Sequence, residues 1–194
     1  MGSNGSVIPI FQQQIKNGGP VTLTDPEMSR FVMTIEESVR LVIDSALLAR
    51  GGEVFITKMP VVRIEDLAKV MIEELAPVYG HVPNQIKIEI IGCKPGEKLY
   101  EELMSQEETR RAVELPRYFS VLPAFRGFYR TVNYKYDQQV SDEVNNPYVS
   151  AEETPMSKGG LRTFLIKNRL LEKSEKQTDI NRRYWPGDKE EKKP

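Results

Sequence analysis

Apolar residues recur along this chain with two different periods. Residues 8–17, IPIFQQQIKN, predict a short helix that Gly18-Gly19 close, and Val21–Thr24 predict a strand running into the turn at Asp25-Pro26. Thr34 and Glu37 have the spacing of a capping box. After them Ile35, Val39, Val42, Ile43, Ala46 and Leu47 form a broad apolar helix face, which Gly51-Gly52 end. Residues 53–58, EVFITK, predict a strand. Ile64, Leu67, Met71, Leu75 and Val78 predict a second long helix over 64–79, stopped by Gly80 and Pro83. Residues 86–91, IKIEII, predict a β-branched strand, 92–97 a loop, and 99–104 a short helix. Residues 112–115 and 118–122 predict two short strands. The pattern is irregular from 123 to 155. Ser157 then caps a last helix with Leu161, Phe164, Leu165 and Leu171 on its apolar side, and the charged residues 172–194 are expected to be disordered.

Helices thus alternate with strands, which predicts an α/β protein, but the strands are too few for a complete doubly wound sheet. An apolar helix begins within the first ten residues with no leading strand to pack on. A truncated α/β protein would look like this. The 194 residues allow one domain, or one domain and a tail.

Composition narrows the function classes. With 27 basic and 28 acidic residues, the net charge of −1 gives no reason to expect nucleic acid. The single cysteine, Cys93, excludes an internal disulfide and fits a reducing cytoplasm. No apolar run approaches the roughly 20 residues of a membrane span, and no secretory leader is visible. The N-terminal residues Met1–Ser6 fit the loose myristoylation pattern, yet Gly2–Ser6 also read as a small, donor-rich loop.

Neither the glycine-rich dinucleotide turn nor a Tyr-x-x-x-Lys pair occurs among the 13 glycines and 8 tyrosines, so no catalytic or cofactor-binding residue is assigned. His81 is the only histidine, which excludes a multi-histidine metal site; it reads as a surface residue. Cys93 reads as a buried, inert cysteine at a strand end. The donor-rich loop Gly2-Ser3-Asn4-Gly5-Ser6 before a helix suits a phosphate. Arg30 after a polar turn reads equally as a surface arginine. Glu97 near a helix start reads equally as a helix-terminus acid.

In order, these segments carry a resemblance. GSNGSVIPIFQQQIKNGGPVTLTDPEMSRFVMTIEESVRLV, GGEVFITKMPVVRIEDLAKVM and IIGCKPGEKLYEELMSQEET resemble the part after the catalytic core in CapD-like polysaccharide biosynthesis proteins. These are UDP-N-acetylglucosamine 4,6-dehydratases and related epimerases, extended members of the short-chain dehydrogenase superfamily. The motif P-G-E-K-L-x-E-E over Pro95–Glu102 is specific, and FITKMP over Phe55–Pro60 leans toward the inverting, PseB-like branch. Asn146–Leu165 looks like the family's C-terminal element, in which a Tyr-x-Ser stretch precedes a final helix. The resemblance covers about residues 2–171.

The resemblance implies a fold: the C-terminal, substrate-binding part of a Rossmann-type extended short-chain dehydrogenase, without the N-terminal dinucleotide-binding half. It also implies site roles. The family's Gly-Ser-Arg-Gly-Ser-Val loop lies beside the nucleotide-sugar and matches Gly2, Ser3, Asn4, Gly5, Ser6 and Val7; Asn4 replaces an arginine and removes a charge. Arg30 matches an arginine that contacts UDP. Lys94 and Glu97 match the arginine and glutamate of Arg-Pro-Gly-Glu-Lys; Lys94 keeps the charge without the planar fork. In the complete enzyme of the family NAD(P) oxidises C4 of the sugar, a base removes the C5 proton, water leaves from C6, and the hydride returns. Residues for those steps would precede Met1.

The expected organisation is a substrate-binding α/β part over 1–122, a family-specific element over 123–171 and a tail over 172–194. The expected function is UDP-sugar binding within a nucleotide-sugar 4,6-dehydratase or epimerase, inactive alone and without its own cofactor. The alternatives are a noncatalytic binding protein, a partner that assembles in trans with a separate Rossmann half or with itself, and a decayed fragment. The helix at Ile8–Ile15 is expected to expose apolar side chains where a Rossmann sheet would pack.

Overall fold

A computed structural model describes residues 7–93, 95–125, 127 and 131–172 of the protein. Residues 173–194 of the expected tail over 172–194, the Ser3–Ser6 loop and Lys94 lie outside the described residues. Helix α1 is Val7–Lys16, followed by strands β1, Val21–Leu23, and β2, Ser29–Phe31. Helix α2 is Ile35–Leu48, and β3, Val54–Thr57, and β4, Val61–Arg63, precede helix α3, Ile64–Leu75. Then come β5, Ile88–Ile90; β6, Glu102–Met104; α4, Gln106–Thr109; β7, Ala112–Glu114; β8, Tyr118–Val121; β9, Tyr148–Val149; and α5, Lys158–Lys167.

The capping box forms as the spacing predicts. Thr34 Oγ1 accepts from Glu37 N at 3.1 Å, and the Glu37 carboxylate accepts from Thr34 N at 2.8 Å. Ser157 caps α5 through the Gly160 N–H. Helix α3 places Glu65 and Asp66 in its first turn, where an acid suits the helix dipole. It runs on into a 3-10 turn, Pro77–Tyr79, which ends at Gly80 with φ of 80°. That left-handed conformation is easy for glycine and strained for other residues.

The main core lies between helices and short strands. Ile8, Phe11 and Ile15 of α1 meet Leu67, Met71 and Leu75 of α3, with Leu161 and Leu165 of α5 and Val21 and Leu23 of β1. Each such fully buried side chain contributes roughly 1.5–3 kcal/mol. The apolar side of α1 is therefore buried, contrary to the expectation that it would be exposed. The cover comes from within the chain. Helix α5 returns to pack on α3, and Gln12 Nε2 donates to Leu170 O at 3.0 Å.

The strands form small sheets. β1 pairs in parallel with β5, and β2 pairs antiparallel with β4. β8 lies between β3 and β7, antiparallel to both. β6 pairs antiparallel with β9, with a register irregularity between Glu102 and Met104. The predicted helix over Leu99–Met104 does not form. Ser29 N donates to Leu99 O, and Ser150 N donates to Glu101 O, so those carbonyls face strand partners across the fold. Buried Met104 then pairs with Tyr148. Apolar spacing over so few residues fits a strand as readily as a helix, and the partner strand decides.

Further expectations are corrected. Cys93 is exposed rather than buried, because Ile90 and Ile91 before it already face outward. The apolar face of α2 is not core: the helix has no buried residue. His81 stays at the surface, partly exposed, with Nε2 3.1 Å from Lys16 O.

Candidate functional site

Parallel strands end side by side, and the loops beyond their carboxyl ends form a natural ligand crevice in α/β folds. Here β1 and β5 end together, tied by Ile91 N donating to Leu23 O at 2.8 Å. The turn Thr24–Met28 leaves β1, and the loop 92–101 leaves β5. Within the turn, Asp25 Oδ1 accepts from Glu27 N at 2.7 Å. Across the two segments, Thr24 Oγ1 donates to Glu97 Oε1 at 3.3 Å. Glu97 is thereby held over the end of β1.

Arg30 stands on β2 beside the same loop. Its Nη1 donates to Ser29 O at 2.7 Å and Leu99 O at 3.1 Å, and its Nη2 donates to Lys98 O at 2.6 Å. Its Nε faces Glu101 Oε1 at 3.9 Å. Three carbonyls and a carboxylate thus hold one planar guanidinium in a fixed orientation, a geometry that a lysine ammonium could not reproduce. The structure places Arg30 of β2 against the loop that carries Glu97, although the two are distant in sequence. Val7 opens α1 and lays its side chain against the main apolar core.

Several organising residues escape a reading by sequence alone. Glu101 Oε2 accepts from Phe31 N at 2.9 Å and fixes β2 to the loop. Ser150 Oγ accepts from Glu101 N at 2.9 Å and meets Ser29 Oγ, also at 2.9 Å, in the interior. Tyr148 Oη accepts from Met59 N at 2.7 Å and donates to Met59 O at 3.1 Å. Its ring lies 4.5 Å from that of Phe31, and burial pushes its phenol above the usual range. The signals were present: Glu101 belongs to the Pro95–Glu102 motif, and Tyr148 and Ser150 form the Tyr-x-Ser stretch. Their roles depend on which distant backbone groups they meet.

A concavity of about 460 Å³ lies between α2 and the β7–β8 hairpin, away from Arg30 and Glu97. Among the described residues no cluster of His, Cys, Asp and Glu could hold a metal ion. No described helix is long and apolar enough to cross a membrane.

A family model described as polysaccharide biosynthesis protein matches residues 1–123. An uncharacterized membrane protein of Methanocaldococcus jannaschii is 57% identical over 123 residues, covering 63% of this chain and 37% of that protein. The capsular polysaccharide biosynthesis protein CapD of Staphylococcus aureus is 52% identical over 109 residues, covering 56% and 18%. A UDP-glucose 4-epimerase of Rickettsia akari is 41% identical over 121 residues, covering 62% and 33%. Among solved structures, Pen from Bacillus thuringiensis matches with a TM-score of 0.73 and 42% identity, over 88% of this chain and 47% of that one. The chain spans less than half the length of each of these proteins.

Proposed function

Because this chain belongs to the polysaccharide biosynthesis protein family and carries part of an extended short-chain dehydrogenase fold, we propose that it is the UDP-sugar-binding portion of a nucleotide-sugar 4,6-dehydratase or epimerase. The 4,6-dehydratase acting on UDP-N-acetylglucosamine is the favoured type, on the strength of the FITKMP and P-G-E-K-L-x-E-E wording. The observation that carries the reading is the convergence of Arg30 and Glu97 on the loop beyond β1 and β5.

The chemistry is that of a diphosphate next to a ribose. The diphosphate of a UDP-sugar carries about two negative charges, and each charge-assisted contact from arginine or a loop N–H is worth roughly 1.5–3 kcal/mol. In this reading Arg30 faces the diphosphate, with Lys94 and the Ser3, Asn4, Gly5, Ser6 and Val7 stretch as further contacts. Glu97, an acceptor, suits a ribose hydroxyl pair.

The residues of this chain do not fit a dinucleotide. Its sequence has neither the glycine-rich turn that lets a pyrophosphate approach the backbone nor the Tyr-x-x-x-Lys pair. NAD(P) belongs to the complete enzyme in this reading, and no chemical step is assigned to this chain. Titration calorimetry of the full chain with UDP is the test. Weak but saturable binding is expected, and no heat at millimolar UDP would overturn the reading.

A further inference from the structure

Tyr118 is 3% exposed, and among the described residues its hydroxyl has no hydrogen-bond partner. A buried polar group without a partner is rare in a native fold, and a functional site is one reason to keep it. Tyr118 forms part of the wall of the cavity between α2 and the β7–β8 hairpin, about 460 Å³ in volume. Small-molecule sites run from roughly 300 to 1,000 Å³. Leu47, Leu48 and Leu115 give the cavity apolar walls, and Arg50 and Arg117 bring two guanidiniums to it.

Both arginines lie over tyrosine rings. Arg117 Cζ is 5.8 Å from the ring centre of Tyr118, and Arg50 Cζ is 5.9 Å from that of Tyr136. A guanidinium in contact with a ring still presents its in-plane N–H groups to an acceptor. Among the described residues the Arg117 side chain donates once, from Nη1 to Asp44 Oδ2 at 2.8 Å. The Arg50 side chain also donates once, from Nη2 to Lys135 O at 3.5 Å. Each guanidinium thus keeps most of its donors uncommitted.

Asp44 and Asp137 line the same cavity, so the formal charges balance. The hydrogen-bonding capacity does not. Asp44 already accepts from Arg117, and Asp137 is exposed to water. The uncommitted groups facing the apolar walls are donors, and paired N–H groups of arginine match a carboxylate or phosphate. We infer that this cavity binds a small organic anion. Its carboxylate or phosphate head takes the guanidinium donors and the Tyr118 hydroxyl, and its apolar body lies against the leucines. The site is separate from Arg30 and Glu97 and does not depend on the nucleotide reading.

Phenylacetate and phenyl phosphate are the probes, with phenethylamine and benzyl alcohol as cationic and neutral counterparts. Each is titrated into the full chain and read by ligand-observed NMR. At least one anion should bind saturably at millimolar concentration and at least about tenfold tighter than either counterpart, the ratio that one charge-assisted hydrogen bond supplies. The tighter of the two anions identifies the head. Amide shifts of the labelled chain should move at Leu48 and Tyr118 and stay in place at Arg30. Arg117→Lys keeps the charge but loses the planar fork, and should weaken that anion about fivefold. Tyr118→Phe should weaken it too, with a melting midpoint no lower than that of the parent. Equal affinity for phenethylamine would overturn the inference, as would no saturable binding of either anion. So would shifts confined to Arg30 and its loop, or binding unchanged in both variants.

Discussion

Ser29 and Ser150 stand 121 residues apart in the chain, and their hydroxyls meet at 2.9 Å in the interior. Ser150 Oγ also accepts from Glu101 N and lies 3.3 Å from Ser29 O, to which it donates. One hydroxyl thereby satisfies its donor and both acceptor positions. It joins β2, the loop 92–101 and β9, the elements that orient Arg30.

Ser150→Ala should destabilise the chain. It leaves Glu101 N–H and the Ser29 hydroxyl without their partner in a buried place, a loss of about 1–3 kcal/mol. Urea denaturation should show a lower midpoint with an unchanged slope. A midpoint equal to that of the parent would mean that water replaces the hydroxyl.

Arg30→Ala should weaken UDP binding by about 1.5–3 kcal/mol and uridine binding by less, because the lost contact is to phosphate. Glu97→Gln should weaken both ligands alike, because its partner is expected on the nucleoside. Calorimetry with the two ligands separates the cases. Equal losses for Arg30→Ala would mean that Arg30 acts only by holding the Lys98 and Leu99 carbonyls.

Tyr118→Phe should leave stability unchanged or raise it. The Tyr118 hydroxyl is buried without a hydrogen-bond partner, and an unpaired buried polar group costs roughly 1–3 kcal/mol. The ring's edge-on contact with Phe55, centroids 5.8 Å apart, survives the change. A drop in thermal midpoint would reveal a partner for that hydroxyl.

Acid should weaken the α4 corner. The Ser105 backbone N–H, then the Ser105 hydroxyl, hold Glu108 below the ordinary carboxylate range against the opposing effect of burial, with Arg111 adding a lesser downward pull. A lowered carboxyl stabilises the fold above its unfolded value, about pH 4.3, and that contribution disappears as pH falls through the lower folded value. Ser105→Ala should therefore reduce the acid dependence of the urea midpoint. An identical pH profile in the variant would contradict the assignment.

Sequence alone determined the elements whose signals are local. The Thr34–Glu37 box and Ser157 cap sit within one turn of the helices they start, and the apolar spacing of α3 and α5 extends over enough turns to be unambiguous. The Pro95–Glu102 motif likewise located the loop that carries Glu97. Tertiary structure decided the rest, because burial and strand pairing are properties of partners. Leu99–Met104 became extended because β9 and β2 took its backbone bonds. The apolar faces of α1 and α2 look alike in sequence. Helix α3 and strand β1 cover α1, while among the described residues nothing covers the outer side of α2, so Ile15 is buried and Leu47 is exposed. A hydrophobic period states that a face must be covered; only the path of the whole chain states by what.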